Sequence, residues 1–225
     1  MEFVKKEYKR FKHPFTCKIA GPSGSGKTNL IKNIIENYKQ TFQFKDNVPE
    51  MLKIIWAYGE EGAVDYSHYD NTEISYVEGL PSNEEIEDFK PHVLIIDDLM
   101  SELANSTQLG TLFTKGRHKK ISTFFIVQNA LPQGRAMRNV NLNTHYVILF
   151  NNPSDSSQID LLARRFYPKN MKFFMSSFED ATRKPYGYIR RDNTADTPNK
   201  YRLQTDITPI DGKLITTCYI PKNVG

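Results

Sequence analysis

The eight residues Gly21-Pro22-Ser23-Gly24-Ser25-Gly26-Lys27-Thr28 match the pattern G-x-x-x-x-G-K-[ST] in full. Glycines let the backbone curl until successive N–H groups face an anion, and a following helix adds the positive end of its dipole. That geometry needs a strand before the loop and a helix after it. Both are legible here. Phe15 to Ala20 is a short apolar run that reads as a strand, and Lys27 to about Tyr38 reads as a helix with Leu30, Ile31, Ile34 and Ile35 as its buried stripe. The loop is therefore expected to cradle the phosphates of ATP. Lys27 would reach the β- and γ-phosphates, and the Thr28 hydroxyl would ligate Mg²⁺.

The remainder alternates apolar runs with helix-like stretches, the pattern of an α/β fold with a mainly parallel central sheet flanked by helices. Strands are expected at Lys53 to Tyr58, more weakly at Glu73 to Val77, and at His92 to Ile96, Thr123 to Gln128 and His145 to Phe150. A short acidic helix over Ser82 to Asp88 has Ser82 as N-cap. A second helix spans Ser101 to Arg117, weakened near Gly110, and a third runs from a cap at Ser154 to Phe166, with Leu161 and Leu162 inward and Pro168 closing it. After about Ala181 prolines at 185, 198, 209 and 221 punctuate β-prone pieces such as Tyr186 to Ile189 and Leu214 to Tyr219. The expected organisation is an ATPase domain over residues 1–180, opening with a basic segment at 1–12, and a strand-bearing extension at 181–225 packed on or beside it.

Composition narrows the function classes. With 225 residues the chain can build one sizeable core but not two full domains. No apolar run approaches the ~18 residues of a membrane span, and the basic N-terminus lacks the apolar stretch of a signal peptide. A soluble intracellular protein, neither membrane-bound nor secreted, is the expectation. Cys17 and Cys218 are too few for a disulfide framework, and the five histidines show no ligand spacing, which argues against a zinc enzyme. Net charge is only +4, but basic residues cluster at Lys5 to Lys12, Lys115 to Lys120 and Arg183 to Arg191. Each cluster taken alone is equally readable as a solvated surface.

Three further elements carry candidate chemistry. Val93-Leu94-Ile95-Ile96 runs into Asp97 and Asp98, so the acids stand at the carboxyl end of a buried strand, where the magnesium ion of a bound nucleotide lies. Asp97 would hold Mg²⁺ through water, and Asp98 would polarise the attacking water. Many hydrolytic P-loop proteins have Glu at the position of Asp98; its shorter side chain leaves Glu102, one turn on, as a rival base. Gln128 ends the strand Phe124 to Val127 and could orient water or sense the γ-phosphate, or simply cap backbone groups. Arg117, in the basic run Lys115 to Lys120, could enter a neighbouring subunit's site in trans, a role worth roughly 10³–10⁵ in rate. It could equally contact DNA phosphates or be plain surface charge, and Arg135 and Arg138 compete for the trans role.

In this order the elements resemble the FtsK–HerA superfamily of DNA-pumping ATPases, in which an arginine in a basic loop precedes a strand ending in Gln by about a dozen residues. Arg117 and Gln128 fit that spacing. The segments HPF…GPSGSGKT, LIIDDLM, GRHKKIS, VQNALPQG and NLNTHYVILFNNPSD look like the small genome-packaging ATPases of double-stranded DNA viruses, in the virophage, Polinton-like and poxvirus-type branch. The likeness covers roughly residues 12 to 180. It implies a RecA-like P-loop domain, ATP and Mg²⁺ as cofactors, and a homo-oligomeric ring, a pentamer or hexamer. It also implies transport of double-stranded DNA without sequence preference into a preformed capsid, contact with capsid vertex proteins, and residence in host cytoplasm, viral factory or virion. The rivals are a nucleoside or nucleotide kinase, a non-catalytic nucleotide-binding assembly protein, and a helicase preferring single strands. The kinase would need an Arg-rich lid and an acceptor pocket, whereas Asp97, Asp98 and Gln128 point to water as acceptor.

Overall fold

The computed structural model describes residues 2–6, 10–59, 69–99, 119–131 and 141–221. Five expected strands form within a residue or two of their predicted limits: β3 (Thr16–Ala20), β5 (Leu52–Tyr58), β7 (Val93–Asp97), β8 (Ser122–Val127) and β9 (Tyr146–Phe150). The weaker candidate becomes β6 (Thr72–Glu78). Strands β3, β8 and β9 are buried along their whole length, which is why Phe124 to Val127 and Tyr146 to Phe150 read as unbroken apolar runs rather than alternating ones.

Among the described residues the main sheet has the order β1-β12-β11-β10-β9-β3-β8-β7-β5-β6, where β1 is Glu2–Lys6, β10 Tyr188–Asp192, β11 Leu203–Thr205 and β12 Thr216–Ile220. From β9 to β6 every pairing is parallel. From β9 to β1 every pairing is antiparallel. The C-terminal strands thus continue the same sheet, and the N-terminal basic segment contributes its outer edge against β12.

Alternation along each strand divides the core between two faces. On one, Ile54, Trp56, Val93, Ile95, Phe124, Ile126 and Ile148 pack beneath α1 (Lys27–Glu36), whose Leu30, Ile31, Ile34 and Ile35 are buried as expected. On the other, Ile55, Leu94, Ile96, Phe125, Val127 and Leu149 meet α4 (Ser157–Phe166) and α5 (Met171–Ala181). The result is a helix–sheet–helix sandwich, the α/β class expected. Where α1 ends, the short helix α2 (Tyr38–Thr41) leads into β4 (Phe42–Gln43), which pairs with β2 (Phe11–Lys12). These bring Phe11, Phe15, Phe42, Phe124 and Tyr146 into one aromatic cluster. Phe124 is fully buried there, 5.2 Å from the Phe15 ring and 5.9 Å from Phe11. Phe124→Ala should therefore lose roughly 3–5 kcal/mol of stability, read as a lowered urea midpoint.

Helix α3 (Asn83–Phe89) keeps its predicted N-cap: Glu85 N–H donates to Ser82 Oγ at 3.1 Å, and Ser82 N–H donates back to the Glu85 carboxylate at 2.6 Å. Two expectations change. Helix α4 starts after Ser156, which makes no side-chain cap bond, rather than at Ser154, which belongs to the preceding turn, where its N–H donates to Asn152 Oδ1 at 3.1 Å. Leu161 faces outward at 53% exposure, while Ile159, Leu162 and Ala163 are buried. At 100° per residue the stripe of 159, 162 and 163 leaves 161 on the far side. Helix α5 was not anticipated, although Asn170 capping the Phe173 N–H and the buried Phe173, Phe174 and Phe178 carry the signal for it. The expected helix at Ser101 to Arg117 lies outside the described residues. Among the described residues no helix is long and apolar enough to cross a membrane.

Candidate active site

In a parallel sheet, loops at the carboxyl ends of the strands open onto the same edge. Here β3, β8 and β7 end side by side, with Ala20 opposite Val127 and Asp97 opposite Ile126. Strand β8 lies between the strand that feeds the glycine-rich loop and the strand that ends in acids. Gln128 is thereby carried to the space between Gly21 and Asp98.

The loop is pinned at its start, where the Gly21 N–H donates to the Val127 carbonyl at 3.2 Å. It then turns through Gly24 (φ 72°) and Gly26 (φ 96°), both left-handed, a region closed to most side chains. Gly21 is required for a different reason: a Cβ there would stand 2.6 Å from Phe150 Cβ, which is too close for any rotamer to relieve. Helix α1 begins immediately, with Leu30 N–H donating to Gly26 O at 2.9 Å, so its first amides face the loop. Ser25 Oγ is buried in the loop without a hydrogen-bond partner, a polar atom left open inside an anion cradle.

Lys27 is buried, and its ammonium donates to the carbonyls of Gly21 at 2.7 Å and Pro22 at 2.8 Å. Burial lowers its pKa, while the charges of Asp97 and then Asp98 oppose that fall. All three groups thus share one electrostatic neighbourhood. The Asp97 carboxyl is shifted upward, first by burial and also by Asp98, with Trp56 and Lys27 pulling the other way. The Trp56 indole N–H is near enough to act on Asp97 and has no hydrogen-bond partner among the described residues. Asp98 leaves the strand in a left-handed conformation (φ 51°) and accepts a hydrogen bond from Gln128 Nε2 at 2.8 Å. Both side chains are exposed at the mouth of the site.

The sequence-derived residues Gly21 to Thr28, Asp97, Asp98 and Gln128 therefore gather at one edge of the sheet. Arg117, Glu102, Arg135 and Arg138 lie outside the described residues. Thr28 and Asp97 offer the hard oxygen donors that suit Mg²⁺, which is usually held by one or two protein groups plus phosphates. No group of three or more His, Cys, Asp or Glu able to hold a metal is found among the described residues.

Sequence reasoning missed Lys18. This buried lysine donates from β3 to the Ala130 carbonyl at 2.7 Å and Asn141 Oδ1 at 2.5 Å, tying down the chain just after Gln128. Burial, assisted by the charge of Arg165, brings its pKa down to about 8. A lysine amid apolar neighbours was the available signal. Trp56 was missed because its nearness to Asp97 depends on the pairing of β5 with β7.

Comparison with known proteins follows from this geometry. No curated protein matches the sequence. Among solved structures, the genome packaging NTPase B204 from Sulfolobus turreted icosahedral virus 2 in complex with ATP-gammaS is similar with a TM-score of 0.56 at 14% identity, over 85% of this chain and 96% of that one. The same protein in complex with AMPPCP gives a TM-score of 0.54 at 14% identity, over 81% of this chain and 94% of that one. At such identities the likeness shows the fold, the RecA-like P-loop ATPase fold. The family model described as Poxvirus A32 protein matches residues 2–175, a span holding both the glycine-rich loop and the strand-end acids. The chain belongs to the poxvirus A32 protein family.

Proposed function

We propose that this chain is the ATP-hydrolysing motor that drives double-stranded viral DNA into a preformed capsid. One observation carries the reading: in a chain of this family, the ammonium of Lys27, the paired acids Asp97 and Asp98, and the amide of Gln128 converge at the edge of the sheet where the glycine-rich loop opens. The loop amides and Lys27 bind the phosphates. Thr28 and Asp97 hold Mg²⁺, which when bound neutralises charge developing on the phosphate oxygens.

Asp98 polarises the attacking water and accepts its proton, with Glu102 the alternative base. The Gln128 amide, already bonded to the Asp98 carboxylate, holds that carboxylate and senses the γ-phosphate. Arg117 completes the site from a neighbouring subunit of a five- or six-membered ring. The exposed residues of the basic clusters partly line the ring's channel and grip DNA phosphates without reading sequence, a role closed to Arg190, which is fully buried. The ring works at a capsid vertex, in host cytoplasm or a viral factory.

The test is Mg²⁺-dependent ATP turnover measured with duplex DNA, single-stranded DNA or nucleosides added. Stimulation by duplex DNA of unrelated sequence, weakening as salt is raised, is the expected result. Phosphate appearing on a nucleoside would replace this reading with a kinase. A preference for single strands would replace it with a helicase.

A further inference from the structure

A recess of about 480 Å³ lies against the outer side of the glycine-rich loop. One wall is Ser23 to Ser25, the floor is Phe150 and Asn151, and the opposite wall is the turn 182–187 that joins α5 to β10. This turn lies beyond residue 175, where the family match ends. Apart from the basic Arg183 and Lys184, none of its residues has a role in the function proposed above.

The turn is built to hold one shape. The Gly187 N–H donates to the Lys184 carbonyl at 3.0 Å, and the Thr182 hydroxyl donates to the Phe178 carbonyl at 2.8 Å. The Arg183 guanidinium donates to Asp180 at 2.8 Å. Gly187 admits no side chain, since a Cβ there would stand 2.5 Å from the Ala181 carbonyl oxygen.

At the tip, Tyr186 has a left-handed backbone (φ 60°), which is unusual for an aromatic residue. Its ring packs on the backbone of Gly26, where an added Cβ would be 3.1 Å from the Tyr186 ring. Even so, 70% of the residue stays exposed. A large ring kept in water, on a strained backbone, beside a phosphate cradle is not explained by packing. Strain of this kind is retained where the surrounding structure enforces it, commonly at ligand sites.

We propose that Tyr186 is the nucleobase platform of this ATPase and that the turn 182–187 is the outer wall of its nucleotide site. A nucleotide carries anionic charge at one end and a flat aromatic base at the other. The loop Gly21 to Thr28 supplies the first complement, and Tyr186, whose ring lies nearest to a Cβ added at Gly26, supplies the second. Stacking reads the face of a base, not its edge, so ATP and GTP are both accepted and purines are favoured over pyrimidines by their larger area. The strands beyond β9 thus share in nucleotide binding through the turn that precedes β10.

This inference rests on the phosphate-loop reading, and one experiment separates the two. Equilibrium binding of ATP, UTP and inorganic tripolyphosphate, each with Mg²⁺, is measured on the full chain and on Tyr186→Ala, Tyr186→Phe and Lys27→Ala. Tyr186→Ala should weaken ATP binding roughly 5- to 150-fold, narrow the gap between ATP and UTP, and leave tripolyphosphate binding unchanged. Tyr186→Phe should retain the wild-type pattern. The platform is overturned if Tyr186→Ala binds ATP as the wild type does, or loses ATP and tripolyphosphate equally. Undiminished tripolyphosphate binding by Lys27→Ala would instead overturn the phosphate-loop reading beneath it.

Discussion

Replacing Lys27 with alanine is expected to abolish ATP turnover while leaving the protein folded. The ammonium is the cation that Asp97 and Asp98 both feel, and it is already oriented across the loop by the carbonyls of Gly21 and Pro22. Without it, a polyphosphate would approach two carboxylates with one compensating charge fewer. A unit charge at about 4 Å is worth roughly 4 kcal/mol at the effective dielectric of such a site, or about a thousandfold in rate. The fold should tolerate the change, because its cost is confined to two loop carbonyls, of which that of Pro22 is only partly buried. Phosphate release by the purified variant, beside its urea denaturation curve, provides the check. Turnover retained near the wild-type level would refute the site.

The second large effect belongs to Arg117. Arg117→Ala should bind ATP nearly as the wild type does, because the phosphate loop is intact, yet lose roughly 10³–10⁵ in hydrolysis. The proposed action in trans makes a sharper experiment available. In a head-to-tail ring, a Lys27→Ala subunit can lend Arg117 to an Arg117→Ala neighbour whose own loop is sound. Equal mixing would make roughly one boundary in four competent. Two inactive preparations should therefore regain activity when combined, with a maximum near equal proportions. No rescue at any ratio would place Arg117 within its own subunit's site or outside catalysis altogether.

Much of this architecture was legible because the strands are buried on both faces. A run such as Val93 to Ile96 has no polar face to confuse its reading, and the glycine-rich loop fixes what precedes and follows it. The likeness to the poxvirus-type branch, carried by five short segments, is borne out by the family match. What could not be read is lateral order. Nothing local says that β8 lies between β3 and β7, yet that order alone brings Gln128 to within 2.8 Å of Asp98. Leu161 and Leu162 look identical in sequence, because which of the two is buried depends on how the helix is rotated against the sheet. The meeting of Tyr186 with Gly26 depends on the sheet turning antiparallel at β10, a long-range pairing with no local signature. The compositional change after Ala181 coincides with that reversal of strand direction, so it marks a change of pairing within one sheet.

Trp56 is the only tryptophan of the chain, is 2% exposed, and stacks with Tyr76 at 6.2 Å between ring centroids. Its indole N–H, with no hydrogen-bond partner among the described residues, is close enough to Asp97 to influence that carboxyl. Indole emission responds to nearby charge and can be excited apart from the twelve tyrosines, so the protein carries a single indole reporter beside the carboxylate proposed to hold the metal. Binding of metal and nucleotide at this site should therefore be visible in unlabelled protein, as a change in the indole emission of one side chain.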